Sequence, residues 1–242
     1  MKEKLIIALD VETADKALRL VDTLHRHAGM FKIGAQLFTA AGPELVHRLV
    51  SQGVKIFLDL KFHDIPNTVA AACIEATRLG VSIVNLHALG GSVVMSRAAE
   101  AVMKFAAKEG VPRPAVIAVT VLTSADAGTL HEVGIISDPK WSATNLARLA
   151  AGSGLDGVVS SAHEIAAIRN AVAGSGVTDF IVVTPGVRPK LTDTHDQLRV
   201  VTPAAAITAG ADYIVVGRAI INADDPSAAA QEIVAEMENE HL

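Results

Sequence analysis

Short apolar runs recur along this chain, each followed by a stretch with helical spacing. Eight of them read as strands: residues 5–10, 30–34, 54–61, 81–87, 115–120, 156–160, 180–184 and 213–217. None alternates polar with apolar residues, which is the pattern of a parallel strand covered on both faces. The intervening segments carry helix signals. Thr13 caps a helix over 14–28 with Ala17, Leu18, Val21 and Leu24 on one face. Pro43 opens a helix closed by Gly53, Pro66 opens one closed by Gly80, and Gly90-Gly91 opens one that runs to about Glu109. Further helices are expected over 145–152, 162–173, 202–209 and 226–240, with a short one over 128–133 inside the longest connection, 122–142. A polar loop spans 185–198. Eight strand–helix units with no linker and no low-complexity segment predict an α/β fold, a single (β/α)₈ TIM barrel forming one domain over residues 1–242. An open doubly wound sheet would want a glycine-rich turn after its first strand, and that turn here is Asp10-Val11-Glu12-Thr13.

Composition narrows the picture. Of 242 residues, 50% are apolar but only 3% aromatic, so the core must be built from Ala, Val, Ile and Leu. A net charge of −5 gives no basic footprint for nucleic acid. Every long apolar stretch is broken by polar residues, so no membrane span is expected, and the apolar run after Lys4 is too short for a signal peptide. The single cysteine, Cys73, excludes an internal disulfide and reads as a small buried helix residue. The cytoplasm is the expected location.

The polar interruptions of the strands carry the candidate chemistry. Function in this fold lies at the C-terminal ends of the strands, and the first three strands place Asp10, Lys32, Asp59 and Lys61 there. Asp59 and Lys61 are two apart, so on a regular strand they share a side with Cα atoms about 6.6 Å apart. In an apolar strand such charges carry a desolvation cost, which marks a site rather than a solvated surface pair. Asp64 follows on the turn, where the strand period no longer fixes its direction. The loops after the seventh and eighth strands read Thr184-Pro185-Gly186-Val187-Arg188 and Val216-Gly217-Arg218. Glycine allows close backbone approach and arginine binds phosphate through two parallel bonds, so these loops form the candidate anion site. His87 ends the fourth strand, and His63 and His195 fall on loops. No His-x-x-x-His or Cys/His grouping suggests zinc, and no Gly-x-Ser-x-Gly elbow suggests a serine hydrolase. Asp10 and Asp59 could together hold magnesium, in competition with Lys32 and Lys61 for the same carboxylates.

The stretch Asp59-Leu60-Lys61-Phe62-His63-Asp64-Ile65-Pro66-Asn67-Thr68 resembles the signature of the orotidine 5′-monophosphate decarboxylase family, which carries out the last step of de novo pyrimidine synthesis. The resemblance extends through Ala8-Leu9-Asp10, Phe31-Lys32-Ile33-Gly34, Val121-Leu122-Thr123-Ser124, Thr184-Pro185-Gly186-Val187-Arg188, Asp196-Gln197 and Val216-Gly217-Arg218. It implies decarboxylation of the nucleotide orotidine 5′-monophosphate to uridine 5′-monophosphate and CO₂, with no cofactor and no metal. It also implies a homodimer in which Asp64 and Thr68 cross into the partner's site to join Lys32, Asp59 and Lys61. Lys61 would then protonate C6, Asp59 would lie near the substrate carboxylate, and Lys32 with Asp10 would reach the ribose. Thr123, with Ser124 as the weaker candidate, would read the pyrimidine edge. Arg188, Arg218 and the backbone of Gly217 would hold the phosphate, and Gln197 would bridge phosphate and base. Two rivals stand beside it. One is a magnesium-dependent sugar-phosphate enzyme such as hexulose-phosphate synthase, which shares the Asp-x-Lys-x-x-Asp core, though the continuation Ile65-Pro66-Asn67-Thr68 favours the decarboxylase; the other is a non-catalytic nucleotide-binding barrel, against which the intact set Lys32, Asp59, Lys61 and Asp64 argues.

Overall fold

The computed structural model describes residues 1–174, 176–177, 179–189 and 201–239. Among them, eight parallel strands pair in sequence order and close on themselves, β8 returning to β1. The strands are β1 Leu5–Ala8, β2 Met30–Gly34, β3 Ile56–Phe62, β4 Ile83–His87, β5 Ala115–Val119, β6 Gly157–Val159, β7 Ile181–Thr184 and β8 Tyr213–Val216. The helices are α1 Ala14–Leu24, α2 Ala35–Ser51, α3 Pro66–Arg78, α4 Gly91–Glu109, α5 Ala127–Glu132, α6 Pro139–Gly152, α7 Ile165–Val172, α8 Pro203–Thr208, α9 Arg218–Ile221 and α10 Pro226–Asn239. This is the (β/α)₈ barrel that the apolar runs predict. No helix among the described residues is long and apolar enough to cross a membrane.

Strand alternation divides the core into two layers. Ile6, Met30, Phe57, Ile83, Ile117, Val183 and Val215 fill the barrel interior. Their neighbours Leu5, Ile7, Phe31, Ile33, Ile56 and Leu58 face outward and pack under the helices. Cys73 is fully buried in that outer layer, and burial pushes its thiol up to about 12, so it is inert as a nucleophile.

Element boundaries depart from expectation where local signals compete. The second helix begins at Ala35, because the chain is helical on both sides of a kink at Gly42 (φ 67°). A helix does open at Pro43, as expected; the unexpected part is the helical stretch that precedes it from Ala35 up to Gly42. The sixth helix begins at Pro139, where the Asp138 carboxylate accepts the Trp141 N–H at 2.9 Å. The one-turn α9 after β8 carries no apolar period and escapes prediction altogether.

At the end of the barrel where the strands begin, one construction appears twice. Asp156, just before β6, accepts both guanidinium nitrogens of Arg113 at 2.9 Å and the Val116 N–H of β5 at 2.7 Å. Asp212, just before β8, accepts Arg169 at 2.6 Å and the Val182 N–H of β7 at 2.7 Å. Arg169 also donates to the carbonyls of Phe180 and Gly210. Each carboxylate ties an arginine to the beginning of the preceding strand, β5 for Asp156 and β7 for Asp212.

Between these clamps the wall is closely packed at Gly157, which pairs with both Ile117 and Ile181. A Cβ at residue 157 would lie 2.2 Å from the Ile181 carbonyl oxygen, a backbone atom that cannot swing aside. Gly157→Ala is expected to destabilise the fold by about 1–3 kcal/mol, read as a lower urea midpoint with unchanged slope.

Candidate active site

The inward alternation of the first strands continues upward into polar residues. Above Met30, Phe57 and Ile83 come Lys32, Asp59 and Asn85, each two residues further along its strand. Asp59 is only 9% exposed, so its carboxylate must find its partners within the protein. It has three. Lys61 Nζ donates to Oδ1 at 2.7 Å, Asn85 Nδ2 donates to the same oxygen at 2.6 Å, and Lys32 Nζ lies 3.3 Å from Oδ2. Lys32 Nζ also reaches Asp10 Oδ1 at 3.2 Å. Burial alone pushes the Asp59 carboxyl up, but the charges of Lys32 and Lys61 and the bonds from Lys61 and Asn85 together hold it below the usual carboxylate range. The four rim charges expected from the sequence are thus one connected array.

Lys61 reaches Asp59 by a different route from the one expected. The β3–β4 register breaks between Leu58 and Phe62, and Lys61 lies in the left-handed region at φ 51°, alone in this among the described non-glycine residues. A non-glycine residue in this region carries a strain of about 1–3 kcal/mol. Regular strand period therefore does not aim Lys61; a bulge does. Its backbone N–H, out of the ladder, donates instead to Asn85 Oδ1 at 2.8 Å. Asn85 is the residue that sequence reasoning missed. Its signal was present: one amide inside Ile83-Val84-Asn85-Leu86, on the inward side with Ile83.

Two hollows open beside this array. One, of about 170 Å³, is lined by Lys32, Asp59 and Lys61 together with Val119, Thr123, Ser124 and Ser160. The other, of about 220 Å³, shares Lys32 and Asp59 and extends past Asp10 to Gly186, Arg188, Gly217 and Arg218. Arg188 is buried and Arg218 exposed. Gly217 lies so close to β1 that a Cβ would stand 3.3 Å from that of Ala8 and 3.4 Å from Asp10 Oδ2. Val187 pairs with Val201, and the Arg188 N–H donates to the Val201 carbonyl at 3.0 Å, so the chain leaves and re-enters the barrel beside the anion end. Gln197 and His195 lie outside the described residues. Asp64 and Thr68 are not gathered into either hollow; both are exposed at the start of α3, where Asp64 Oδ1 accepts the Ile65 N–H at 2.6 Å. A wider hollow of about 440 Å³ opens at the opposite end of the barrel, but its charged side chains, including Lys2, Asp22 and Lys55, are all exposed. It offers water-screened charge where the upper rim offers buried charge.

His63 and His87 stack beside Lys61, ring centroids 5.2 Å apart. His87 Nδ1 accepts the Leu89 N–H at 3.3 Å, which leaves its proton on Nε2. Burial, then the charges of His63 and Lys61, push the His87 imidazole down to about 4. Between the ordinary value of 6.5 and about 4, the unfolded chain binds a proton that the folded chain refuses. The His87 contribution to stability is therefore complete above that window and is lost as pH falls through it. Urea midpoints measured from pH 7 to pH 4 are expected to fall, and His87→Gln to flatten the part of the fall between 6.5 and 4.

Comparison with known proteins agrees with this geometry. The model of the orotidine 5′-phosphate decarboxylase / HUMPS family matches residues 3–233. A protein of Syntrophotalea carbinolica named orotidine 5′-phosphate decarboxylase is 52% identical over 237 residues, covering 98% of this chain and 95% of that one. A Moorella thermoacetica protein of the same name is 50% identical over 238 residues, covering 98% and 93%. The crystal structure of orotidine 5′-phosphate decarboxylase from Lactobacillus acidophilus superposes with a TM-score of 0.81 at 36% identity, over 96% of this chain and 98% of that one. With a family model spanning nearly its whole length and relatives at half identity, the chain belongs to the orotidine 5′-phosphate decarboxylase / HUMPS family.

Proposed function

We propose that this chain decarboxylates orotidine 5′-monophosphate to uridine 5′-monophosphate and CO₂ in de novo pyrimidine synthesis in the cytoplasm, with Lys61 as proton donor and with no cofactor or metal. The observation that carries the reading is the buried Asp59 held between Lys32 and Lys61, on the wall shared by an apolar hollow and an arginine-bearing one. A nucleotide monophosphate has the matching ends. Its phosphate suits Arg188, Arg218 and the Gly217 backbone, its ribose hydroxyls suit Asp10 and Lys32, and its base suits the hollow with Thr123 and Ser124.

In this reading the bond between C6 and the carboxylate carbon breaks, CO₂ leaves, and the electron pair stays on C6 in the ring plane. Resonance with the ring carbonyls helps little there. The Lys61 ammonium stabilises the developing charge and then passes a proton from Nζ to C6; water later returns one to the amine. Asp59 lies near the substrate carboxylate, and Lys32 keeps it ionised and in place. Contacts to the distant phosphate supply binding energy that is realised in the transition state.

The reading includes a homodimer. Asp64 and Thr68 are exposed and line neither hollow of their own subunit, Ile65 beside them is 67% exposed, and Val93 on the adjoining α4 is 66% exposed. Apolar side chains so exposed beside polar ones suit a second copy of the chain, which would receive Asp64 and Thr68 at its own Lys61.

Three outcomes are expected. The purified protein should bleach the ultraviolet band of orotidine 5′-monophosphate equally with and without EDTA; turnover that required magnesium would favour the sugar-phosphate chemistry, and nucleotide binding without turnover would favour a binding barrel. Lys61→Ala should lose at least about 10²–10⁴-fold in kcat while still binding uridine 5′-monophosphate. Mixing inactive Lys61→Ala with inactive Asp64→Ala subunits should restore about a quarter of wild-type activity, because half the dimers are hybrids with one intact site each. No recovery after demonstrated subunit exchange would overturn the shared site.

A further inference from the structure

We infer that Asn85 is a positioning residue for the decarboxylation proposed above: its buried amide fixes the Lys61 ammonium and the Asp59 carboxylate relative to one another. The inference rests on that functional reading for its kinetic consequences, but its structural premise stands on the geometry.

Where the β3–β4 register breaks, the four-residue step from Leu58 to Phe62 faces the two-residue step from Val84 to Leu86. A bulge of this kind strips the extra residues of their ladder partners. Lys61 is one of them, and its N–H goes to Asn85 Oδ1 at 2.8 Å. The other end of the same amide, Nδ2, goes to Asp59 Oδ1 at 2.6 Å, the oxygen that also takes Lys61 Nζ. Only one orientation of the amide satisfies both partners, since a backbone N–H can only donate and a carboxylate can only accept. Asn85 has no solvent exposure, so no water stands ready to replace either bond. One side chain therefore holds the backbone from which Lys61 projects, in a left-handed conformation the residue would otherwise leave, and the carboxylate that Lys61 meets.

Asn85 is absent from the lining of both hollows, so it acts through Asp59 and Lys61 rather than on the nucleotide. Its loss should misplace the proton donor without removing it. Displacements of about 1 Å at a reacting group can lower a rate on the order of 10²-fold.

The test begins with wild-type turnover of orotidine 5′-monophosphate, which decides the functional reading separately. With that secured, Asn85→Ala is expected to lose on the order of 10²-fold in kcat with KM and uridine 5′-monophosphate affinity changed only a few-fold. Asn85→Asp supplies a second readout. Ionised, the new carboxylate can accept the Lys61 N–H but repels Asp59; protonated, it can again donate to Asp59 while accepting from Lys61. The ratio of variant to wild-type kcat should therefore rise as pH is lowered from about 8 to about 5. A crystal structure of Asn85→Ala should show Lys61 out of the left-handed region and Nζ no longer within hydrogen-bond distance of Asp59. A folded Asn85→Ala enzyme with near wild-type kcat would overturn the inference. So would a ratio for Asn85→Asp that is flat with pH, or unmoved Lys61 and Asp59 in the variant structure, a readout that holds even if wild type fails to decarboxylate.

Discussion

A single carboxylate taken out of water governs the upper half of this barrel. Asp59 projects inward above Phe57, where an unpaired charge would be prohibitive. Its neutralisation dictates much of what surrounds it. β2 must carry an inward lysine, β4 must give up an apolar position to an amide, and β3 must break register so that Lys61 can turn back over Asp59. Removing Asp59 itself would take a partner at once from Lys32, Lys61 and Asn85, and breaking a buried charge pair typically costs about 3–5 kcal/mol. Stability and reactivity are therefore coupled here: the ion array is costly to assemble and hard to alter one residue at a time.

The fold was legible because it depends on the most robust signal a chain carries. Eight apolar runs without alternation allow few arrangements other than parallel strands covered on both faces, and the helix stops at Gly53, Gly80 and Gly210 mark the returns. What escaped were two helical stretches read as loop, the one from Ala35 up to the Gly42 break and the one that Asp138-Pro139 opens. The second was written locally, since aspartate before proline is a helix-start pattern, whereas Ala35 follows Gly34, which offers no capping side chain.

The site was legible in a different way. Asp10, Lys32, Asp59 and Lys61 stand out because charges are improbable at the ends of apolar strands, and the structure joins them. Asn85 was missed because an amide contrasts less with its surroundings than a charge does, although it is more deeply buried than any of the four. The bulge at Lys61 was invisible for a stricter reason. A register shift is a relation between two strands, and no single run of residues encodes it. Asp64 and Thr68 lie at the same boundary of inference, since their surroundings in one subunit leave them exposed.

The paired aspartate clamps at the other end of the barrel bear on how such an enzyme can change over time. Asp156 and Asp212 lock neighbouring strands with the same arginine-and-backbone pattern, away from any reactive group. The four residue steps from Asp156 at the base to Ser160 at the rim span about 13 Å, beyond the range at which substitutions usually interact. The rim can thus accumulate altered loops and altered charges while the base stays fixed, each change judged on its own. A scaffold fastened at one end and reactive at the other is a chassis on which new chemistries can be tried without rebuilding the frame.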